Sequence, residues 1–192
     1  MSLIAIVLSI AVSFFSTDSV ELVFAGDAMQ HERQIVAAKS SDGNYDYSGY
    51  YDEIRPYIES ADFAVVNLET PLGGRPYSGY PMFCAPDSYA EELKDAGFDF
   101  ILTANNHTLD RRDKGLKRTL DALDRLELPH TGTFRNRTER DSLCPAIVDV
   151  NGFKIGMLNY TYGTNGIKIQ NDVVGNYIAV SYTHLRAHET GR

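Results

Sequence analysis

The sequence predicts an α/β domain: a mixed sheet flanked by helices. Three observations point to it. Short apolar runs of strand length alternate with segments of helical periodicity, and each run stops abruptly at polar residues. Two further β-type runs are joined through Asn151-Gly152, the strongest short hairpin signal. In open α/β sheets ligands gather beyond the carboxyl ends of the strands, so the polar tips are where a site is expected.

Leu22, Val23 and Phe24 form the core of a first strand over residues 20–25, which stops at Gly26-Asp27. Gly26 frees the backbone to turn away or to approach a ligand closely, and Asp27 sits at the strand tip. A helix is expected over 28–38. His31, four residues after Asp27, is spaced so that both side chains can face one point. Asp27 is equally readable as the N-cap of that helix. A polar loop over 40–49 leads into helical character over 50–61, where Pro56 either kinks the helix or opens a second one. Phe63 to Val66 is the second strand, and it too ends in polar groups, Asn67 and Glu69.

Residues 70–86 carry several Pro and Gly together with Tyr77 and Tyr80, so an irregular loop is expected beside the site. Arg75 in that loop reads either as a contact for an anionic substrate or as a solvated surface charge. Residues 86–96 form a helix closed by Gly97. After Asp99, Phe100 to Leu102 is the third strand, followed by Asn105-Asn106-His107-Thr108-Leu109-Asp110. An amide oxygen ligates a hard cation without adding charge, and an imidazole ligates a metal or donates a proton. The same run also reads as an Asn-rich turn. Leu116, Leu120, Leu123 and Leu126 give residues 113–127 the clearest amphipathic pattern in the chain. Beyond Pro129 a short extended piece, His130-Thr131-Gly132, leads on to the hairpin strands over 146–150 and 153–159 and a polar loop over 160–166.

The 192 residues suffice for one well-buried domain. A formal net charge of -8 argues against a nucleic-acid partner, because phosphate backbones are gripped by clustered Lys and Arg. Metal ions held in a site would reverse that field locally. Cys84 and Cys144 lack metal-type spacing, and whether they pair is left open by the sequence. Residues 1–16 are almost wholly apolar from Leu3 to Phe15 and read as a secretory signal or an uncleaved anchor, although no Lys or Arg precedes the run. The expected location is therefore outside the cytoplasm, in the cell envelope or periplasm.

Phe24-Ala25-Gly26-Asp27, the run from Asp62 to Pro71, the run from Ala104 to Asp110 and the run from Asn159 to Gly166 together resemble the bacterial capsule synthesis protein CapA family. That family is associated with poly-γ-glutamate capsules and is related to calcineurin-like metallophosphoesterases. The resemblance preserves order and spacing from about residue 20 to residue 177. It implies a metallophosphoesterase-like fold, here incomplete at the carboxyl end. It also implies a dinuclear site for divalent metal ions such as Mn, Fe, Zn or Mg. Asp27 would begin that site, Glu69 would bridge the metals, Asn106 would be a ligand, and His107 would protonate the leaving group. His31 is a further ligand candidate, two positions away from the family's Asp-x-His spacing. Asn67 and Arg75 are the candidate substrate contacts, and the implied partners are an anionic capsule polymer or its precursor and an envelope biosynthesis complex. The alternative on the same fold is a non-catalytic polymer-binding or export-assembly factor.

The Gly-His-x-His pattern that such enzymes carry in their later half is absent from this sequence. The domain is thus expected over 20–178 as an amino-terminal part. Residues 179–192 resemble translated read-through, which also accounts for the metal-like spacing of His184 and His188.

Overall fold

The computed structural model describes residues 19–170 and 172–178; the expected leader over 1–16 and the segment 179–192, with His184 and His188, lie outside the described residues. Four parallel strands form the main sheet in the order β1 (Leu22–Ala28), β2 (Phe63–Leu68), β3 (Phe100–Leu102), β4 (His130–Thr131). Parallel neighbours need crossovers, and helices supply them. The helices are α1 (Glu32–Ala38), α2 (Arg55–Glu59), α3 (Asp87–Asp95), α4 (Arg112–Arg125) and α5 (Arg137–Leu143).

The period of two along β2 divides the core. Ala64, Val66 and Leu68 join a cluster with Ile58 of α2, Tyr89, Ala90 and Leu93 of α3, and Ala122 and Leu123 of α4. Leu93 and Leu123 are completely buried, each contributing on the order of 2 kcal/mol of hydrophobic stabilisation. On the opposite face Val65 and Phe100 pack with Met157. That residue belongs to the antiparallel hairpin β6 (Ala146–Val150) and β7 (Phe153–Met157), turned by Asn151 at a φ of 51° and Gly152 at 86°. The hairpin forms its own two-stranded ladder, layered on the parallel sheet. A second short antiparallel ladder pairs β5 (Thr133–Phe134) with β8 (Val174–Gly175).

Several boundaries depart from what the sequence suggests. β1 runs on to Ala28 because a register shift after Phe24 lets Asp27 pair with Asn67 and Ala28 with Leu68. The first helix consequently starts at Glu32, not at residue 28. Between 50 and 61 only Arg55–Glu59 is α-helical, with Pro56 in its first turn, where a missing N–H costs nothing. Helix α5 occupies a stretch to which the sequence reading assigns no element. Asn136 caps it by accepting the Glu139 backbone N–H at 2.8 Å, while none of its residues is buried. Both cysteines are free, and Cys84 is buried with its thiol directed to the Gly74 carbonyl. No helix among the described residues is long and apolar enough to cross a membrane.

Candidate metal-binding site at the strand tips

Parallel pairing places the carboxyl ends of β1, β2 and β3 side by side, and their polar tips meet. The Asn67 side-chain amide donates to Asp27 Oδ1 at 2.8 Å and reaches Glu69 Oε2 at 3.4 Å, so one amide spans two carboxyl groups from neighbouring strands. Asn105, from the loop after β3, donates to Asn67 Oδ1 at 3.1 Å and to the Leu68 carbonyl at 2.9 Å. Its own Oδ1 accepts the His107 backbone N–H at 3.1 Å, which fixes the turn that presents the imidazole.

His107 is buried and held from two sides. Its Nδ1 lies 2.7 Å from Asp110 Oδ2, and its ring meets the edge of Phe83 with centroids 4.6 Å apart. With Nδ1–H donated to Asp110, Nε2 is the nitrogen left to bind a ligand or carry a proton, and it stands 4.0 Å from Glu69 Oε1. Asp110 also accepts the Phe83 backbone N–H at 2.7 Å. Burial raises its pKa, partly offset by the hydrogen bonds from His107 and Phe83. Glu69 is pushed up to about 7, first by burial, then by its hydrogen bond to Asp27 and by repulsion from Asp27 and Asp110. Two carboxyl groups this close cannot both ionise cheaply.

Of the residues singled out from the sequence, Asp27, Asn67, Glu69 and His107 come together. Asn106 lies at the exposed side, its amide 3.4 Å from Asn165 Oδ1. Asn165 sits in the left-handed region at a φ of 50° and also brings its amide within 3.4 Å of His107 Nδ1. His31 precedes α1: its backbone N–H donates to Gln34 Oε1 at 2.7 Å, and its ring meets Phe83 edge-on at 5.0 Å. That same Phe83 ring packs against His107, so Phe83 stands between the two imidazoles. Arg75 donates to the Gly43 carbonyl at 2.9 Å and lies over the rings of Tyr45 and Tyr77, tying two loops together.

Asn105, Asp110, Asn165 and Phe83 are participants to which the sequence reading gives no individual role. A carboxylate three residues after a histidine in a polar loop was the available signal for Asp110; Phe83, arriving from an irregular loop, offered none. Asn159 contributes at one remove, its side chain pairing with the Ala104 backbone through bonds of 2.6 and 3.1 Å. A Cβ on Gly132 would lie 2.1 Å from Asn159 Oδ1, so only glycine admits that contact.

Among the described residues no cluster of three or more His, Cys, Asp or Glu stands ready to hold a metal ion. The donors that do gather are two carboxyl groups, several amides and one imidazole. Such an oxygen-rich set is suited to a hard divalent cation, and a positive charge beside Asp27 and Glu69 would offset the carboxyl repulsion that adds to burial in raising the Glu69 pKa.

A family model described as bacterial capsule synthesis protein PGA_cap matches residues 21–190 of the chain. The capsule biosynthesis protein CapA of Bacillus anthracis is 24% identical over 152 residues, covering 75% of this chain and 35% of that protein. The chain therefore spans about a third of the length of this curated relative.

Proposed function

The chain belongs to the bacterial capsule synthesis protein family, and on that premise we propose that it serves the making or export of a poly-γ-glutamate-type capsule polymer at the cell envelope. The proposed working part is a phosphoesterase-type site at the strand tips. The observation that carries this reading is the convergence of Asp27, Asn67, Glu69 and the His107–Asp110 pair from three separate strand ends.

Asp27 and Glu69, with the amide oxygen of Asn67, are the groups that would hold divalent metal. A bound divalent ion would supply Lewis-acid polarisation of a phosphoryl or carbonyl oxygen. His107, oriented by Asp110, presents Nε2 to the same space and, when protonated, gives its proton to a departing oxygen. Phe83 covers one side of the imidazole and limits access of water to it. The bond to test is a phosphoester or an amide of the polymer or its precursor. Because the chain carries a net charge of -8, a local cation is also what would let it engage an anionic polymer.

A second reading, a polymer-binding or export-assembly factor without catalysis, is favoured by the finding that no group of three or more His, Cys, Asp or Glu among the described residues is placed to hold a metal ion. One experiment separates the two. The 192-residue chain is incubated with Mn2+ and bis(p-nitrophenyl) phosphate, and in parallel passed over immobilised poly-γ-glutamate. Cation-dependent hydrolysis that disappears in Asp27→Ala and in His107→Ala supports the phosphoesterase reading. Retention on the polymer with no hydrolysis overturns it in favour of the second.

A further inference from the structure

Five threonines line a small cavity between the chain leaving β2 and the chain leaving β3: Thr70, Thr103, Thr108, Thr119 and Thr133. The space open to the centre of a water molecule is about 10 Å³. That is close to the minimum for one water, and far too little for an organic ligand.

The hydroxyl protons of four of these residues are already committed. Thr103 donates to the Thr131 carbonyl at 2.9 Å, Thr108 to the Thr103 carbonyl, Thr119 to the Gly115 carbonyl at 2.8 Å, and Thr133 to Thr103 Oγ1 at 2.8 Å. Thr103 Oγ1 also accepts the Thr133 N–H at 3.0 Å and the Thr133 hydroxyl at 2.8 Å and is filled, but the oxygens of Thr108, Thr119 and Thr133 retain accepting capacity. Thr70 is the exception. It is 1% exposed, and its Oγ1 is a buried polar atom with no partner in the protein. Leaving such a hydroxyl unpaired is costly.

We infer that this cavity is a binding site for a single resident water molecule. The water accepts the Thr70 hydroxyl proton and donates to two of the other threonine oxygens, giving the three bonds typical of buried water. A monovalent cation does not suit the site, because it cannot accept the Thr70 proton and no carboxylate lines the cavity to balance its charge. Thr70 directly follows Glu69, and Thr108 directly follows His107. The water therefore links the segment that presents the carboxyl group to the segment that presents the imidazole. The inference stands on the cavity and its hydroxyls and does not depend on the chemistry proposed for the strand tips.

A high-resolution crystal structure of the 192-residue chain, with the variants Thr70→Ser and Thr70→Val, tests it. The expected result is one ordered water within hydrogen-bond distance of Thr70 Oγ1 and of at least two other threonine hydroxyls. It should be kept in Thr70→Ser and lost or displaced in Thr70→Val. A cavity without density, in maps that show surface waters, overturns the inference. So does a peak with the short, numerous oxygen contacts of a metal ion, or one that keeps its place in Thr70→Val. Should the valine variant not fold, the wild-type and serine structures still decide between presence and absence.

Discussion

His107 Nδ1 and Asp110 Oδ2 lie 2.7 Å apart, and the carboxyl group that makes this contact has no exposed side-chain surface. The same oxygen takes the Phe83 N–H, so one buried group anchors both the imidazole and the ring packed against it.

Replacing Asp110 by Ala should leave His107 Nδ1 and the Phe83 amide without their acceptor, at a cost of about 2 to 4 kcal/mol. Asp110→Asn should cost less and change which ring nitrogen carries the proton. Urea unfolding reads the first effect and the 15N shifts of the His107 imidazole read the second. Unchanged shifts in Asp110→Asn would mean that the carboxyl group does not set the tautomer.

Glu69 makes stability depend on pH. Its pKa is raised from the ordinary 4.5 of a glutamate to about 7 in the folded chain, chiefly by burial, so the folded state favours the neutral form. The stability from this group is therefore fully present below the unfolded value and is lost as pH rises through the folded one. In metal-free buffer the urea midpoint should fall between roughly pH 4.5 and pH 7. Glu69→Gln should flatten that fall. A variant with the wild-type slope would assign the dependence to other groups.

Gly132 adopts a φ of 114°, and a Cβ there would lie 2.6 Å from the Ala104 backbone nitrogen as well as 2.1 Å from Asn159 Oδ1. Gly132→Ala should destabilise the chain by at least about 2 kcal/mol, since neither backbone strain nor the clash can relax cheaply. Thermal unfolding measures it, and a near-neutral substitution would show that the Asn159 bracket on Ala104 is loose.

Arg75 lies 5.4 Å from the Tyr45 ring centroid and 5.3 Å from that of Tyr77. Arg75→Ala should cost about 1 kcal/mol by releasing two loops. It should leave Mn2+ affinity and retention on poly-γ-glutamate unchanged. Weakened polymer retention in a stably folded variant would return Arg75 to the role of substrate contact.

The sequence made the fold legible wherever hydrophobic period alone decides structure. β2, β3, the leucine-striped α4 and the Asn-Gly hairpin all read directly from it. The last turn of β1 did not, because Asp27 and Ala28 become strand only by pairing with Asn67 and Leu68, some forty residues away. The two-residue strands Thr133–Phe134 and Val174–Gly175 were hidden for the same reason, and α5 because no face of it enters the core. At the site, the polar residue after each apolar run was enough to suggest that Asp27, Glu69 and His107 meet. The i, i+4 argument for His31 placed it with Asp27 in a turn or the first turn of a helix. Asp27 lies in β1 instead, the helix begins at Glu32, and the His31 ring packs edge-on against Phe83.

The account depends most on the strand tips acting as one cation site. Titrating the 192-residue chain with Mn2+, followed by the loss of the free-ion electron spin resonance signal, measures this directly. The account predicts saturable binding that weakens at least about tenfold in Asp27→Ala and in Glu69→Ala, and remains unaltered in Arg75→Ala. Binding of equal strength in all four proteins, or none in the wild type, would contradict it.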